Sequence, residues 1–289
     1  MKVIATLNFK GGVGKTTVTW FLGRYLAERR GKMTLVVDAD PQMSLTTAVQ
    51  LLESGYWDER FRSWRDAAKN KGKTLYEALK DYSSSSSLTL PVDSEFFYTQ
   101  RQGLELLPSD DELYWFELDA PRGKELQGFI PEFLNARQTI PGARPLDYCL
   151  IDCPPAFNSL SFSAVLSADI VLVPINPDVF ASFGVRIMLG GLRTRLVKMP
   201  KFVIFMNRAK IRRDPKTTEY RLTKEGQGFL DDVNFVAQDF LKVGMPVRVL
   251  SDFWIPERAD IKRALAGRRL PPDMETYFAE LWDQIERVL

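Results

Sequence analysis

The sequence predicts an α/β fold, a doubly wound and mostly parallel sheet with helices on both faces. Three observations predict it. An apolar strand that starts at Val3 runs into a glycine-rich loop and then into a helical pattern. Further continuous apolar runs of strand length recur along the chain, as in parallel strands that are covered on both faces. Several of them end in a carboxylate or an amide, at the edge where open α/β sheets bind ligands.

The loop after the first strand has the composition of a phosphate cradle. It contains Gly11, Gly12 and Gly14, followed at once by Lys15 and Thr16. Glycine lacks Cβ, so the backbone can take positive φ and turn successive N–H groups toward an anion. The lysine adds a mobile positive charge for the terminal phosphates, and the threonine adds a hydroxyl for Mg²⁺. The N-terminus of the following helix points at the same anion.

The next thirty residues complete a βαβ unit. Apolar residues at helical spacing predict a helix over Lys15–Arg30, which ends at Gly31. A short apolar strand over Thr34–Val37 follows and leads into Asp38 and Asp40. A strand, a helix and a second strand in this order imply a parallel pair with a right-handed crossover.

The pattern weakens between about residues 53 and 103, and we expect an insertion there within a single domain spanning residues 1–289. Thr74–Asp81 predicts a helix inside the insertion. The serine run Ser83–Ser87 predicts a mobile surface loop. No internal repeat and no domain boundary is evident.

The remaining elements follow the same alternation of strand and helix. Tyr148–Asp152 is a buried strand that ends in a carboxylate, followed by Cys153 and two prolines, which is the form of a Walker B strand. The other predicted strands are Leu104–Ser109, Asp169–Pro174, Lys201–Asn207 and Pro246–Leu250, and the other predicted helices are a segment up to Leu134, Phe229–Leu241 and Pro272–Leu289.

Composition excludes several classes of protein. The chain has no histidine, which removes the usual catalytic triads, and only two cysteines, Cys149 and Cys153. A disulfide framework and a His/Cys zinc site are therefore not expected, in keeping with a reducing cytoplasm. No signal peptide is evident, and no uncharged apolar run approaches the roughly 18 residues of a membrane span.

Charge is unevenly distributed along the chain. The net charge is only +2, but nine acidic and three basic residues fall between Asp93 and Glu125. Between Arg193 and Lys216 there are nine basic residues and one acidic residue. The C-terminal half therefore carries the basic face.

The three motifs together resemble those of the ParA/MinD superfamily of ATPases. Phe9 stands where an ordinary P-loop has glycine, and Lys10 is a second lysine ahead of the glycines, as in the deviant Walker A loop of that family. The likeness is greatest to the ParA-like partition and cargo-positioning ATPases, and no helix-turn-helix domain precedes the loop. The resemblance implies a sheet of the P-loop NTPase type, with ATP and Mg²⁺ as cofactors.

The resemblance also implies roles for individual residues. Lys10 would reach across a nucleotide-sandwich homodimer to the partner's phosphates, and Lys15 would bind the phosphates of its own chain. Asp38 would position or activate the attacking water, and Asn207 would bind adenine. The implied nucleotide-binding residues are Gly11, Gly12, Val13, Gly14, Lys15, Thr16, Thr17, Asn207 and Pro256, and the implied Mg²⁺ residues are Thr16, Asp40 and Asp152.

These considerations favour a dimerising ATPase that binds the DNA of the nucleoid without sequence specificity and positions or segregates a cargo. A cargo-associated protein would stimulate hydrolysis and release the ATPase, which would be cytoplasmic and nucleoid-associated. The expected DNA contacts are Arg208, Arg212, Arg213, Arg258, Lys262, Arg263, Arg268 and Arg269.

Three alternatives stay open at this point. A MinD-like membrane-associated regulator needs a basic amphipathic C-terminal helix, whereas the polar face here is acidic, so we expect no stable membrane association. An iron–sulfur reductase needs cysteines from two separate segments, whereas Cys149 and Cys153 lie together. A non-enzymatic adaptor would not need the full set of motif residues.

Overall fold

The computed structural model describes residues 1–54, 63, 66, 73–84, 98–101, 103–119, 126–214, 219–265 and 270–289. The strands within these ranges are β1 (Lys2–Thr6), β2 (Thr34–Asp38), β3 (Tyr98–Arg101), β4 (Leu104–Leu107), β5 (Tyr148–Asp152), β6 (Ile170–Ile175), β7 (Lys201–Ala209), β8 (Ile211–Arg213), β9 (Tyr220–Leu222) and β10 (Val247–Pro256). The α-helices are α1 (Lys15–Arg24), α2 (Ser44–Ser54), α3 (Leu75–Ser84), α4 (Leu113–Asp119), α5 (Phe129–Gln138), α6 (Ser159–Ser167), α7 (Ala181–Arg193), α8 (Lys224–Lys242), α9 (Ala259–Leu265) and α10 (Pro272–Glu286).

One large sheet organises the molecule. It has eight strands in the order β10-β7-β6-β1-β5-β2-β4-β3, and all neighbouring pairs are parallel except β3 with β4. β1 lies between β5 and β6, so the loop that follows β1 emerges at the centre of the sheet. A separate hairpin pairs β8 with β9. The predicted mostly parallel sheet is confirmed.

Two hydrophobic cores cover the two faces of this sheet. Successive side chains of a strand point to opposite faces. In β1, Ile4 accordingly packs with the core that includes α1, α2, α9 and α10, whereas Val3 and Ala5 pack with the core that includes α5, α6, α7 and α8. Helices therefore cover both faces, as the continuous apolar strands predicted.

The first predicted helix is confirmed, with a change of pitch at its end. α1 continues through a π-helical turn over Tyr25–Arg29. Gly31 has a φ of 62°, and the N–H of Lys32 donates to the carbonyl of Leu26 at 3.0 Å. The glycine thus ends the helix in the left-handed conformation that favours this residue.

The serine run begins inside a helix and not in a loop. α3 extends three residues beyond the predicted Asp81 and includes Ser83 and Ser84. Their hydroxyls donate to the carbonyls of Lys80 and Asp81, at 2.8 and 3.1 Å, and so satisfy groups that a helix end leaves unpaired. The rest of the run, and most of the expected insertion, lies outside the described residues.

The last strand is longer than its sequence pattern. Prediction placed it at Pro246–Leu250, whereas β10 continues to Pro256. Its pairing with β7 shifts register between Val249 and Trp254 and again before Pro256. Such bulges break the alternation of apolar and polar residues on which the prediction depended, and they re-aim side chains at the end of the strand.

The C-terminal helix packs on the sheet, as its apolar face predicted. Met274, Phe278, Leu281, Trp282 and Ile285 of α10 are buried. In the part of the chain that the structure describes, no helix has both the length and the apolar character needed to cross a bilayer.

Candidate active site

A cavity of about 750 Å³ opens at the carboxyl edge of the sheet. Its floor is the glycine-rich loop between β1 and α1, and one side is the turn after β2. The opposite wall comes from the ends of β7 and β10 and from α9. With Pro155 after β5, five separate segments therefore converge on the position where the sequence predicts phosphate binding.

The loop has the conformation that its glycines predict. Gly12 and Gly14 have φ values of 74° and 90°. A Cβ at Gly14 would lie 2.2 Å from Nδ2 of Asn207, so this position requires glycine for both backbone and space. No side chain caps α1 at Gly14, which leaves the first N–H groups of the helix for an anion.

Lys15 is buried at the start of α1. Its ammonium donates to the carbonyl of Lys10 at 3.2 Å, so the side chain lies back along the loop. Burial lowers the pKa of Lys15, and the charges of Asp152 and Asp40 oppose that effect. The lysine therefore stands between the floor of the cavity and two carboxylates.

Thr16 and Asp152 form the part of the site that suits a magnesium ion. The Thr16 hydroxyl donates to Oδ2 of Asp152 at 2.6 Å, and Oδ1 of Asp152 is buried without a hydrogen-bond partner among the described residues. Burial raises the pKa of Asp152, and the charge of Asp38 adds to the rise. An orphaned carboxylate oxygen beside a hydroxyl is the kind of oxygen donor set that Mg²⁺ accepts.

No group of three or more acidic, histidine or cysteine side chains in the described ranges could hold a metal ion alone. This agrees with Mg²⁺ chemistry, because Mg²⁺ usually takes one or two carboxylates and completes its shell with phosphate oxygens and water. The residues present fit a metal that arrives with a polyphosphate.

Asp38 lies behind the cavity and not in its lining. Its Oδ2 accepts hydrogen bonds from the backbone N–H and the hydroxyl of Thr46, at 2.7 and 2.8 Å, and its Oδ1 accepts from the N–H of Asp40. Burial raises the pKa of Asp38 to about 7 despite these bonds. Thr46 of α2 therefore occupies Oδ2 of Asp38, and the carboxylate does not reach the cavity lining.

Asp40 faces the cavity directly. It lines the wall beside Gln42, and its Oδ1 accepts the N–H of Gln42 at 2.9 Å. Its backbone carbonyl accepts the hydroxyl of Ser109, which lies beyond the end of β4. The carboxylate thus shapes the turn after β2 and also adds negative charge near Lys15.

Lys10 points away from the cavity within its own chain. Its ammonium forms an ion pair with Asp178, on the segment between β6 and α7, and its side chain is 43% exposed. Its backbone N–H donates to Oδ1 of Asn8 at 2.9 Å. The ammonium groups of the two loop lysines therefore have different partners, Asp178 for Lys10 and the backbone carbonyl of Lys10 for Lys15.

Asn207 lies near the end of β7, Pro256 ends the neighbouring strand β10, and both line the cavity. Asn207 is buried and donates through Nδ2 to the carbonyl of Val13 at 2.7 Å. Val13 itself is buried, so it contributes backbone and not its side chain. Thr17 lines the floor.

The expected DNA contacts fall into separate groups. Arg208, Arg258 and Lys262 line the cavity, and Arg258 is held by Asp260 and Asp273 at 2.6 Å each. Arg212 and Arg213 lie on β8, in the hairpin. Arg263 is paired with Asp260 at 3.3 Å, and Arg268 and Arg269 lie outside the described residues.

Three residues of the site were missed by sequence reasoning. Asp178 follows the end of β6 and could have been found as a carboxylate at a strand end. Glu257 is adjacent to Pro256 but carries no motif. Thr46 lies on α2, and nothing in the sequence indicates its bonds to Asp38.

Known proteins share both the sequence and the fold. A family model described as an AAA domain matches residues 1–198. The chromosome partitioning protein ParA of Caulobacter vibrioides is 32% identical over 203 residues, 68% of this chain and 66% of that protein. A maintenance of carboxysome distribution protein A from Gloeothece citriformis is 30% identical over 60% of this chain and 56% of its own length.

Solved structures of similar fold include apo McdA from Cyanothece, with a TM-score of 0.71 at 24% identity and 99% coverage of both chains. A plasmid partition protein from Borrelia burgdorferi has a TM-score of 0.66 at 19% identity, covering 100% of this chain and 99% of its own. A Cyanothece McdA variant solved as an ATP complex has a TM-score of 0.68 at 23% identity, covering 99% and 96%. At these identities the likeness supports the fold. The family model covers well over half of the chain. The chain therefore belongs to the AAA-domain family, as a P-loop ATPase of the ParA/MinD type.

Proposed function

We propose that the protein hydrolyses ATP with Mg²⁺, dimerises when ATP is bound, and uses this cycle on DNA to position or segregate a cargo. The observation that carries the proposal is the 2.6 Å contact between the buried Asp152 and Thr16, which lines the floor of the 750 Å³ cavity beside Lys15. A hydroxyl, a carboxylate and a lysine are the groups that a polyphosphate and its metal ion require, and their proximity here supports the proposal.

The residues divide the work of phosphoryl transfer between them. Gly11–Thr17 would hold the phosphates, and Thr16 and Asp152 would hold Mg²⁺, which neutralises charge on the phosphate oxygens when it is bound. Asp40 would bind water of the metal shell. Asp38 would orient the attacking water, which requires its bonds to Thr46 to rearrange after nucleotide binds. Asn207 and Pro256 would contact the base.

Two features support a homodimer in the ATP state. The Lys10 side chain is exposed, and its ion pair with Asp178 lies at the surface. Its ammonium would therefore be able to leave Asp178 and bind the phosphates of a partner subunit. Four apolar side chains that follow Asp178 in the chain are 49 to 68% exposed: Val179, Phe180, Phe183 and Ile187. The last three fall at helical spacing around the start of α7. A large exposed apolar stripe beside a catalytic lysine is suited to a second copy of the chain.

DNA binding is supported by the basic hairpin. Arg212 of β8 lies directly opposite Arg221 of β9, and both are exposed. Arg221 is paired with Asp214 at 3.3 Å and with Glu219 at 3.8 Å. The support for DNA binding therefore comes from the exposed Arg212 and Arg213 of β8, which would contact the phosphate backbone. Such contacts give affinity without sequence specificity.

Cargo and location are proposed from the relatives named above. The cargo would be a plasmid, a chromosome or a protein assembly such as a carboxysome, and a cargo-associated protein would stimulate hydrolysis. The protein would be cytoplasmic and associated with the nucleoid. A MinD-like membrane role is less favoured, because the apolar face of α10 is already buried against the domain.

The test is co-sedimentation of the purified protein with non-specific duplex DNA at low salt, with ATP·Mg²⁺, ADP·Mg²⁺ or no nucleotide. We expect binding with ATP only. The double charge reversal Arg212→Glu with Arg213→Glu should abolish DNA binding and leave ATP hydrolysis without DNA unchanged. Absence of DNA binding in every nucleotide state would contradict the proposal, and liposomes would be tested next.

A further inference from the structure

Two consecutive side chains at the end of β7 contact the same loop. Asn207 donates to the carbonyl of Val13 at 2.7 Å, and Nη1 of Arg208 donates to the carbonyl of Gly12 at 3.0 Å. In a regular strand, neighbouring side chains point to opposite faces and could not both reach one loop. The glycine-rich loop is therefore held by two adjacent donors, one to each of two successive carbonyls.

A strained backbone makes this possible. Arg208 has a φ of 53°, in the left-handed region, and Met43 is the other non-glycine residue with positive φ among the described residues. Arginine is not a residue that favours this region, and such outliers persist where surrounding contacts enforce them. The turn at Arg208 brings its side chain to the side of the strand that Asn207 occupies.

The guanidinium of Arg208 also contacts Glu257, which follows β10 in the same wall of the cavity. Nε and Nη2 of Arg208 donate to Oε1 of Glu257, at 3.2 and 2.6 Å, and the pKa of Glu257 is lowered chiefly by this bond. Glu257 follows the bulged end of β10, and its backbone N–H donates to the carbonyl of Ala209. Both bonds use one carboxylate oxygen, so Oε2 is left to accept from a ligand.

Stability alone does not account for the arrangement. The side chains of Arg208 and Glu257 are 38% and 44% exposed, and ion pairs at such exposure contribute little to folding. The strained backbone at Arg208 opposes that small contribution. The strained backbone of Arg208 thus fixes a solvent-exposed ion pair beside the cavity, and this indicates that the pair contacts a ligand.

Position in the cavity identifies the part of the ligand. Gly11–Thr17 occupy the phosphate end, and Arg208 and Glu257 lie in the wall formed by β7, β10 and α9. A nucleotide anchored by its phosphates can place its ribose and base along this wall. A planar guanidinium stacks on aromatic rings, and a carboxylate accepts hydrogen bonds from hydroxyls.

We propose that Arg208 and Glu257 form a nucleoside-binding pair, in which Arg208 supports the base and braces the loop while Glu257 accepts a ribose hydroxyl. The inference rests on the proposed binding of ATP. It gives Arg208 a place in the nucleotide site in addition to, or instead of, the DNA contact that its charge predicts.

The test is calorimetric titration of ATP·Mg²⁺ and of 2′,3′-dideoxy-ATP·Mg²⁺ into the full chain without DNA. We expect Arg208→Ala to weaken ATP binding about tenfold, the effect of losing one charge-assisted contact, and Arg208→Lys to restore part of it. Wild-type protein should bind dideoxy-ATP more weakly than ATP, and Glu257→Ala should abolish that difference. A merely structural role of Glu257 would leave the difference in place.

Arg248→Ala is the matched control, because Arg248 is an exposed arginine of β10 that contacts Gln284 and does not line the cavity. It should bind both nucleotides as wild type does. If wild-type protein binds no ATP, the proposed function itself fails. If wild type binds ATP, and Arg208→Ala and Glu257→Ala retain its affinity for both nucleotides, only the nucleoside-binding pair is overturned.

Discussion

At the level of single residues, the site brings buried carboxylates close together although their charges repel each other. Asp38 and Asp152 are both fully buried, and burial is the chief cause of the raised pKa of each. Lys15 is the positive charge that opposes the rise in the pKa of Asp152, and burial lowers the pKa of Lys15 itself. The protein's own residues thus leave the site short of positive charge, which a metal ion would supply.

Gly14 should tolerate no side chain. Gly14→Ala combines a φ of 90° with a Cβ 2.2 Å from Asn207, whereas Gly142→Ala has a φ of 78° and no atom within 4 Å. We expect Gly142→Ala to cost about 1 to 2 kcal/mol of unfolding free energy, from the backbone alone. Gly14→Ala should cost about 1 to 3 kcal/mol more, from the overlap. Urea denaturation of both variants measures the difference, and equal losses would contradict the predicted overlap.

The raised pKa of Asp38 predicts a pH-dependent stability. Below its ordinary pKa of about 4, the carboxyl is protonated in both the folded and the unfolded chain. Between that value and about 7, the unfolded chain loses the proton while the folded chain keeps it, so the free energy of unfolding falls as pH rises. Asp38→Asn removes this group.

We therefore expect the stability of Asp38→Asn relative to wild type to increase from pH 4 to pH 7 and then level off. Denaturant titrations at several pH values, without nucleotide or metal, measure it. A constant difference across this range would show that Asp38 is ionised in the folded protein.

At the scale of elements, the helices differ in how completely they are covered. α10 buries its apolar face, including Phe278 and Trp282, against the core that also holds α1. The N-terminal part of α7 instead leaves Phe183 62% and Ile187 49% exposed while Val185 and Met188 are buried. The apolar face of α10 is buried within the single chain. One face of α7 is not covered by any element among the described residues.

Phe183→Asp should therefore weaken dimerisation without unfolding the chain. An exposed aromatic ring can be replaced by a carboxylate at little cost to the monomer, whereas a buried interface would be disrupted. We expect light scattering with ATP·Mg²⁺ to give a dimer for wild type and a monomer for the variant. Phe235→Asp, at a 70% exposed position of α8, is the control and should remain dimeric. A dimeric Phe183→Asp variant would place the interface elsewhere.

At the scale of the whole molecule, the cavity joins segments that are far apart along the chain. The glycine-rich loop follows β1, Pro155 follows β5, and the opposite wall comes from β7, β10 and α9. Ligand bound among them should hold the N- and C-terminal parts of the chain together. A ligand that binds only the folded state stabilises it by mass action.

We accordingly expect ATP·Mg²⁺ to raise the melting temperature. At one hundred times its dissociation constant, the nucleotide should add about 2.7 kcal/mol to the free energy of unfolding. Removing Mg²⁺ with EDTA should reduce the shift, because Asp152 then faces the phosphates without a cation. Lys15→Ala should show no shift, and a full shift in that variant would contradict the assignment of the phosphate cradle.

Much of the fold and of the phosphate end could be predicted from short stretches of sequence. The glycine positions, Lys15 and Thr16 act through local backbone geometry, and apolar runs such as Tyr148–Asp152 are recognisable because strands covered on both faces need them. The end of β10 was missed because bulges break its pattern. α2 and α7 carry no motif, and neither was predicted.

The parallel sheet, the glycine-rich loop after β1 and the carboxylates at the ends of β2 and β5 could be predicted from the sequence alone, because each depends on residues close together in the chain. The bonds of Thr46 to Asp38, the pairing of Lys10 with Asp178 and the position of Arg208 in the cavity wall are known only from the folded structure. These contacts join segments up to about two hundred residues apart, and the direction of the Arg208 side chain depends on a single positive φ. Neither the spacing nor the charge of the residues specifies such a contact, because both leave open which side of an element its side chain faces.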